Sequence, residues 1–238
     1  LHPPWHLVTL SPSIPPAPAP RIPQGIHYGI LIILIAAAGN YMSAPGQTYC
    51  ISAMVDPMLV DLDQIDRADY SLAYLVGTIL AGFLLPVSGS LVDRFGARCM
   101  MPIAGLLLGL TCCWMSQLEN LLALYLGFLM LRCFGQGMLP LFSGWLIGEW
   151  FQSRRGLAIG LVGIGGALST MTVPVMTNQY IHEFDWRYAW GFLAILTWAL
   201  MILPPLLFIR NRPEQVGLFP DLRFAPEDTT ADPESALD

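Results

Sequence analysis

"LLALYLGFLMLRCFGQGMLPLFSGWLI" runs from Leu121 to Ile147 with one charged residue, Arg132, near its middle. A helix crosses the hydrocarbon core in about 20 apolar residues, so this stretch has the length and composition of a membrane span. A guanidinium at such a depth costs at least ~2.5–3.5 kcal/mol on insertion scales unless a partner meets it. Two things follow: the rest of the chain has to be built for a bilayer, and Arg132 has to face something.

The rest repeats the pattern. The chain is 55% hydrophobic and only 12% charged, about half the charged share of ordinary soluble domains. Apolar runs recur at about Tyr28–Ala53, Tyr70–Leu91, Cys99–Ser116, Leu121–Ile147, Gly156–Asn178 and Tyr188–Ile209. Polar amphipathic faces are absent between them, which excludes a soluble α/β fold and predicts an all-α membrane protein with six transmembrane helices. Lysine is absent altogether. Arg94, Arg98, Arg154, Arg155, Arg210 and Arg212 follow spans two, four and six, whereas only Arg67 and Arg187 follow spans one and five. The positive-inside rule then places both ends in the cytoplasm, most simply of a plasma (inner) membrane. Acidic residues (Asp56, Asp61, Asp63, Asp66, Asp69) gather in the first outer loop.

The remaining composition narrows the chemistry. The five cysteines lie in or beside apolar runs, odd in number and without ligand spacing, so they read as packing residues. No metal or cofactor is expected. A paired His/Asp cluster, an HExxH string and a nucleophile elbow are all missing, so no enzyme is expected either. The expected surroundings are membrane lipid and a small-molecule substrate, with no nucleic acid. Residues 1–27, rich in proline, read as a disordered cytoplasmic tail, 28–209 as the six-helix bundle, and 210–238 as a polar cytoplasmic linker. The chain opens on Leu rather than Met, so a fragment is the expectation.

Polar residues inside the spans fall on helical faces. Asn40, Ser43 and Gln47 share one face of span one; Ser71, Tyr74 and Thr78 share one of span two. Arg132, Gln136 and Ser143 mark span four, and Ser169 and Thr172 mark span five, while spans three and six carry only Thr111 and Thr197. Lipid cannot satisfy polar groups, so spans one, two, four and five are expected to line a central path, with three and six outside. The candidate path residues are Arg132, Gln136, Asn40, Gln47, Ser43, Tyr74 and Thr78. The alternative for the hydroxyls is plain helix–helix hydrogen bonding, worth ~0.6 kcal/mol on average in membranes. The glycines of spans three and five read first as packing surfaces.

Span one also contains Pro45-Gly46, a candidate hinge. Proline donates no backbone hydrogen bond, so the carbonyl of Tyr41 loses its usual partner. Arg132 lies about 16 Å below the outer end of its span at ~1.5 Å per residue, level with this break. Two partners are open to it: the loosened carbonyls or Asn40, or a bound anion such as a carboxylate. No Asp, Glu or His occupies the middle of any predicted span, so no internal counter-ion and no obvious proton carrier is available.

Between spans two and three stands "GSLVDRFGAR", Gly89–Arg98. Asp93 and Arg94 meet the cytoplasmic surface, Gly96 permits a turn through positive φ, and Gly89 allows a close helix approach. The combination suits a latch that closes in one conformation, with Arg94 and Arg98 alternatively anchoring helix ends to headgroups. The spacing Gly-x-x-x-Asp-Arg-x-Gly-x-Arg resembles the signature of the major facilitator superfamily of secondary transporters. "RCFGQG" (132–137) is similar to the arginine motif of its fourth helix. "WFQSRRGLAIGLVGIGGALS" (150–169) resembles the fourth loop and fifth helix of its monocarboxylate and oxalate/formate-type branches, and "DWR" (185–187) and "NRPEQVGLFPD" (211–221) resemble the fifth loop and the start of the central linker. Ala97 stands where a basic residue is usual, and three residues rather than two separate Arg132 from Gln136. The resemblance implies the N-terminal half of a twelve-helix fold, made of two inverted three-helix repeats, with a C-terminal six-helix half missing. It implies transport of a small solute, an organic anion being the expected kind, by alternating access. It makes Gly89, Asp93, Arg94, Gly96 and Arg98 a gating latch. A non-transporting scaffold or an inactive fragment is the alternative.

Overall fold

The computed structural model describes residues 24–62, 64–216, 218–219 and 223–224. The predicted tail up to residue 23, Asp63 of the acidic loop, and the linker beyond residue 224 lie outside the described residues.

Among the described residues, six helical segments are long and apolar enough to cross a membrane: Tyr28–Asp61, Arg67–Phe95, Ala97–Ser116, Leu121–Trp150, Arg155–Glu183 and Trp186–Phe208. Each coincides with one predicted span, but most ends lie further out. A hydropathy reading stops at the first charge, whereas a helix stops at a cap. Span one runs on past Ala53 because Met54 and Met58 are fully buried in the core. Asp56 and Asp61 therefore sit on the helix rather than in a loop, where they pair with Arg67 and Arg187. Side-chain caps start three spans: Asp66 accepts from the Asp69 N–H at 2.7 Å, Asn120 from Ala123 at 2.8 Å, and Asp185 from Trp186 at 2.6 Å.

Spans three and six pack closely, with Gly105 against Met201 and Gly109 under the indole of Trp198. Their lone hydroxyls stay at home: Thr111 donates to Leu107 O and Thr197 to Leu193 O, each at 2.7 Å. Span one lies between four and five, where Gly39 meets Ser143 and Gly165 meets the backbone of Ala37. Span two leans on span four, with Tyr70 and Tyr74 edge-on to Phe128. Spans two and five are thinly covered. Gly156, Gly160, Gly163 and Gly166, expected as packing residues, face open space, as do Gly82 and Gly89.

Spans one and four are both interrupted midway. Span one is α-helical to Met42, tightens to a 3₁₀ turn at Ala44–Gly46, and resumes at Thr48. Span four widens to a π-helical stretch at Leu131–Met138. The interruptions touch, with Gly46 against Gly135. After span six, Leu218–Phe219 pairs antiparallel with Arg223–Phe224, a short hairpin that the polar linker composition does not announce.

Candidate functional site

The site is easiest to build from the backbone groups that Pro45 sets free. A broken helix at membrane depth has to place every loosened carbonyl. Ser43 O accepts from Gly46 N–H at 3.0 Å and Ala44 O from Gln47 N–H at 2.9 Å, closing the 3₁₀ turn. Asn40 O takes the Ser43 hydroxyl at 2.7 Å. Tyr41 O, the carbonyl that proline orphans, takes the hydroxyl of Ser169 from span five at 2.8 Å. The N–H of Cys50 turns to Gln47 O at 3.2 Å. Gly46 O is left to Arg132, whose Nη1 donates to it at 3.0 Å.

Arg132 is thus held on two sides. Its guanidinium carbon also lies 4.9 Å from the centroid of the Tyr74 ring, a cation–π distance. The Tyr74 hydroxyl in turn meets Thr48 Oγ1 at 2.7 Å, on the far side of the break. Arg132 is 6% exposed and forms no ion pair among the described residues. One N–H of a five-donor fork is committed to Gly46, and others remain for a ligand. Arg132, Gln136 and Gly137 line one wall of a cavity of about 440 Å³, opposite Thr78, Gly82 and Leu85 of span two.

The structure divides the candidate path residues. Arg132, Gln136 and Thr78 share the cavity, with Tyr74 stacked at its back. Gln47 and Ser43 instead form a string along span one, with Gln47 Nε2 donating to Ser43 Oγ at 3.1 Å. Asn40 turns the other way and donates to Val162 O at 3.4 Å. Arg132 therefore meets Gly46 rather than Asn40. Ser143 also leaves the expected face: it is fully buried against Gly39. The reason is the π-helical stretch, in which Leu139 N–H reaches back to Phe134 O. A wider turn rotates everything beyond it away from a 3.6-residue register. The unusual Arg132–Gln136 spacing falls inside that stretch.

Ser169 belongs to this site more firmly than its sequence suggests. It is fully buried, donates to Tyr41 O, and meets the Tyr49 hydroxyl at 2.7 Å. Tyr41 OH pairs with Thr172 Oγ1 at 2.8 Å on the same flank. The sequence signal was the Tyr41 carbonyl itself; nothing local points to span five as its partner. Ser169→Ala leaves Tyr41 O and Tyr49 OH unsatisfied in apolar surroundings. We expect destabilisation of about 1–3 kcal/mol, above the ~0.6 of an average interhelical bond, read from unfolding of the protein in mixed micelles. A loss no larger than that average means that water takes the place of the hydroxyl.

At the turn between spans two and three, Gly96 adopts φ +77°, the one positive φ among the described glycines. Asp93 Oδ1 accepts from Trp145 Nε1 of span four at 2.8 Å. Arg94 lies over the ring of Phe95, 5.3 Å from its centroid. No atom of this bundle comes within 4 Å of a side chain built at Gly89.

Six apolar crossings, two touching helix breaks and a buried arginine beside a cavity define a multi-pass integral membrane protein. Its bundle is of the kind that makes up one half of a twelve-helix fold. The chain belongs to the Major Facilitator Superfamily, whose family model matches residues 29–223. It is similar to monocarboxylate transporter 11 of Homo sapiens, 27% identical over 190 residues, covering 79% of this chain and 39% of that protein. The Mus musculus monocarboxylate transporter 11 is 28% identical over 185 residues, covering 76% and 40%. Monocarboxylate transporter 2 of Mesocricetus auratus is 26% identical over 180 residues, covering 74% and 35%. The chain thus spans about two fifths or less of the length of these relatives.

Proposed function

We propose that this chain is the N-terminal bundle of a secondary transporter that moves a small organic anion, of the monocarboxylate class, by alternating access. The observation that carries the reading is Arg132: buried, unpaired by any carboxylate among the described residues, and set in the wall of a cavity of about 440 Å³. A charge with spare donors in a low-dielectric wall is stabilised by an incoming carboxylate. The names of the relatives support the same class. Gln136 and Thr78 contribute polar contacts beside it, and the Pro45-Gly46 break is the hinge. Both ends lie in the cytoplasm of a plasma (inner) membrane, residues 28–209 form the bundle, and 210–238 begin the central linker. A second six-helix bundle covers the open faces of spans two and five.

The test is flux. Proteoliposomes holding the complete protein take up a labelled monocarboxylate, and an uncharged amide of the same shape neither enters nor competes. Equal handling of acid and amide overturns the anion reading, and no flux of either overturns transport.

The latch is tested separately. Asp93→Asn keeps an oxygen for Trp145 and removes only the charge. If Asp93 latches against the second bundle, maximal turnover falls about tenfold, roughly 1.4 kcal/mol in the rate-limiting barrier, with KM unchanged. A shift in KM at constant turnover counts against a latch.

A further inference from the structure

The signature loop is fastened from a place its own sequence does not contain. Span three begins at Ala97 behind Gly96, which has no side chain to cap the helix. Asn211, more than a hundred residues later, supplies the cap: its Oδ1 accepts from the Arg98 backbone N–H at 2.9 Å. The same amide lies directly over Gly96, where any side chain would collide with it. Gly96 therefore serves two ends, the positive φ of the turn and the seat for Asn211.

The residues around Asn211 are each secured elsewhere. Arg210 O accepts from Trp150 Nε1 at 3.0 Å, and Arg212 Nε lies 3.5 Å from Glu149 Oε2. Ile209 is fully buried. Residues 209–212 thus form a strap joining the exit of span six to the end of span four, and Asn211 extends it to the loop. A displacement of the strap reaches the Gly96 turn through one hydrogen bond and one packed amide, and reaches Asp93 three residues before it.

We infer that Asn211 is the positioning residue of the gating latch, holding the Gly96 turn of the Gly89–Arg98 segment in its latching geometry and coupling it to the linker. The coupling to transport rests on the transport reading above; the clasp itself does not. Its mechanism makes the acceptor oxygen, not the bulk, the determinant. Asn211→Asp keeps that oxygen, and an anion is favoured at a helix N-terminus. Asn211→Leu keeps the size and loses the oxygen.

The Arg98 amide reports on the clasp, because its hydrogen is the one that Asn211 Oδ1 accepts. In mixed micelles, with the complete protein, deuterium labelling of the peptide that carries this amide is timed. Asn211→Leu and Asn211→Ala are expected to speed labelling about 5- to 30-fold, the scale of losing a helix cap, while Asn211→Asp labels like the parent. Parent-like labelling of the Leu variant overturns the inference, and so does an Asp variant as fast as Leu. Should Leu and Ala fail to insert, normal insertion and slow labelling of the Asp variant sustain it, and failure of that variant too overturns it. In flux assays the Leu variant lowers maximal turnover at unchanged KM, and a change confined to KM refutes the coupling. A parent that moves no solute defeats the transport reading alone, since the labelling still decides the clasp.

Discussion

Arg132→Ala in the complete protein is expected to lower uptake of a small monocarboxylate by at least about 100-fold in kcat/KM, roughly 2.7 kcal/mol, while the protein inserts normally. The substitution removes three things together: the bond to Gly46 O, the charge over the Tyr74 ring, and the donors left for an anion. Arg132→Lys separates them. A lysine keeps the charge but presents a point rather than a planar fork, so it cannot hold Gly46 and a carboxylate in fixed geometry at once. If the anion contact dominates, KM rises and turnover holds. If the hinge tie dominates, turnover falls and KM holds. Uptake by the alanine variant at normal affinity removes Arg132 from the anion site altogether. Normal insertion of both variants is part of the expectation, since alanine relieves the insertion cost of a buried guanidinium and lysine leaves one charge where the parent has one.

The fold was legible because a bilayer demands so much of a sequence. Six apolar runs are enough to place the spans, and "GSLVDRFGAR" ends where a turn has to be. What hydropathy could not supply was the point at which a helix stops. Asp56 ends an apolar window, yet the helix continues beneath it because Met58 is buried two residues later. Helical register was a second gap. An assumed 3.6-residue repeat aligned Ser143 with Arg132, and the π-helical stretch at Leu131–Met138 undoes that alignment. The partners were the third. Pro45 showed which carbonyl is freed, but Ser169, Trp145 and Asn211 answer from 128, 52 and 113 residues away. Local pattern carries no information at that range. The pair Gly46 and Gly135 lay between these cases: visible as a repeated Gly-Gln, its meaning supplied only by contact.

That contact carries the second large effect. A side chain at Gly135 would come within 2.8 Å of both Cα and N of Gly46, and one at Gly46 within 2.8 Å of Gly135 Cα. The opposing atoms are backbone, so no rotamer can swing aside. Gly46→Ala or Gly135→Ala therefore forces spans one and four apart at the level of their breaks, costing about 1–3 kcal/mol as overpacking does. Valine at either position exceeds that and prevents recovery of folded protein. The same separation lengthens the Arg132 bond to Gly46 O, so the alanine variants lose turnover as well as stability. Gly82→Ala and Gly89→Ala are the internal controls, because nothing in this bundle lies within 4 Å of a side chain added there. Both glycines lie within the Arg67–Phe95 helix, so with no clash these variants do not lose stability, and helix propensity raises it by about 0.5–1 kcal/mol. The double variant Gly46→Ala/Gly135→Ala discriminates further. Either methyl opens the same gap, so the second costs less than the first, and the pair falls short of the sum of the singles. Full additivity in mixed-micelle unfolding means that the two glycines act independently and that the breaks do not form a single joint.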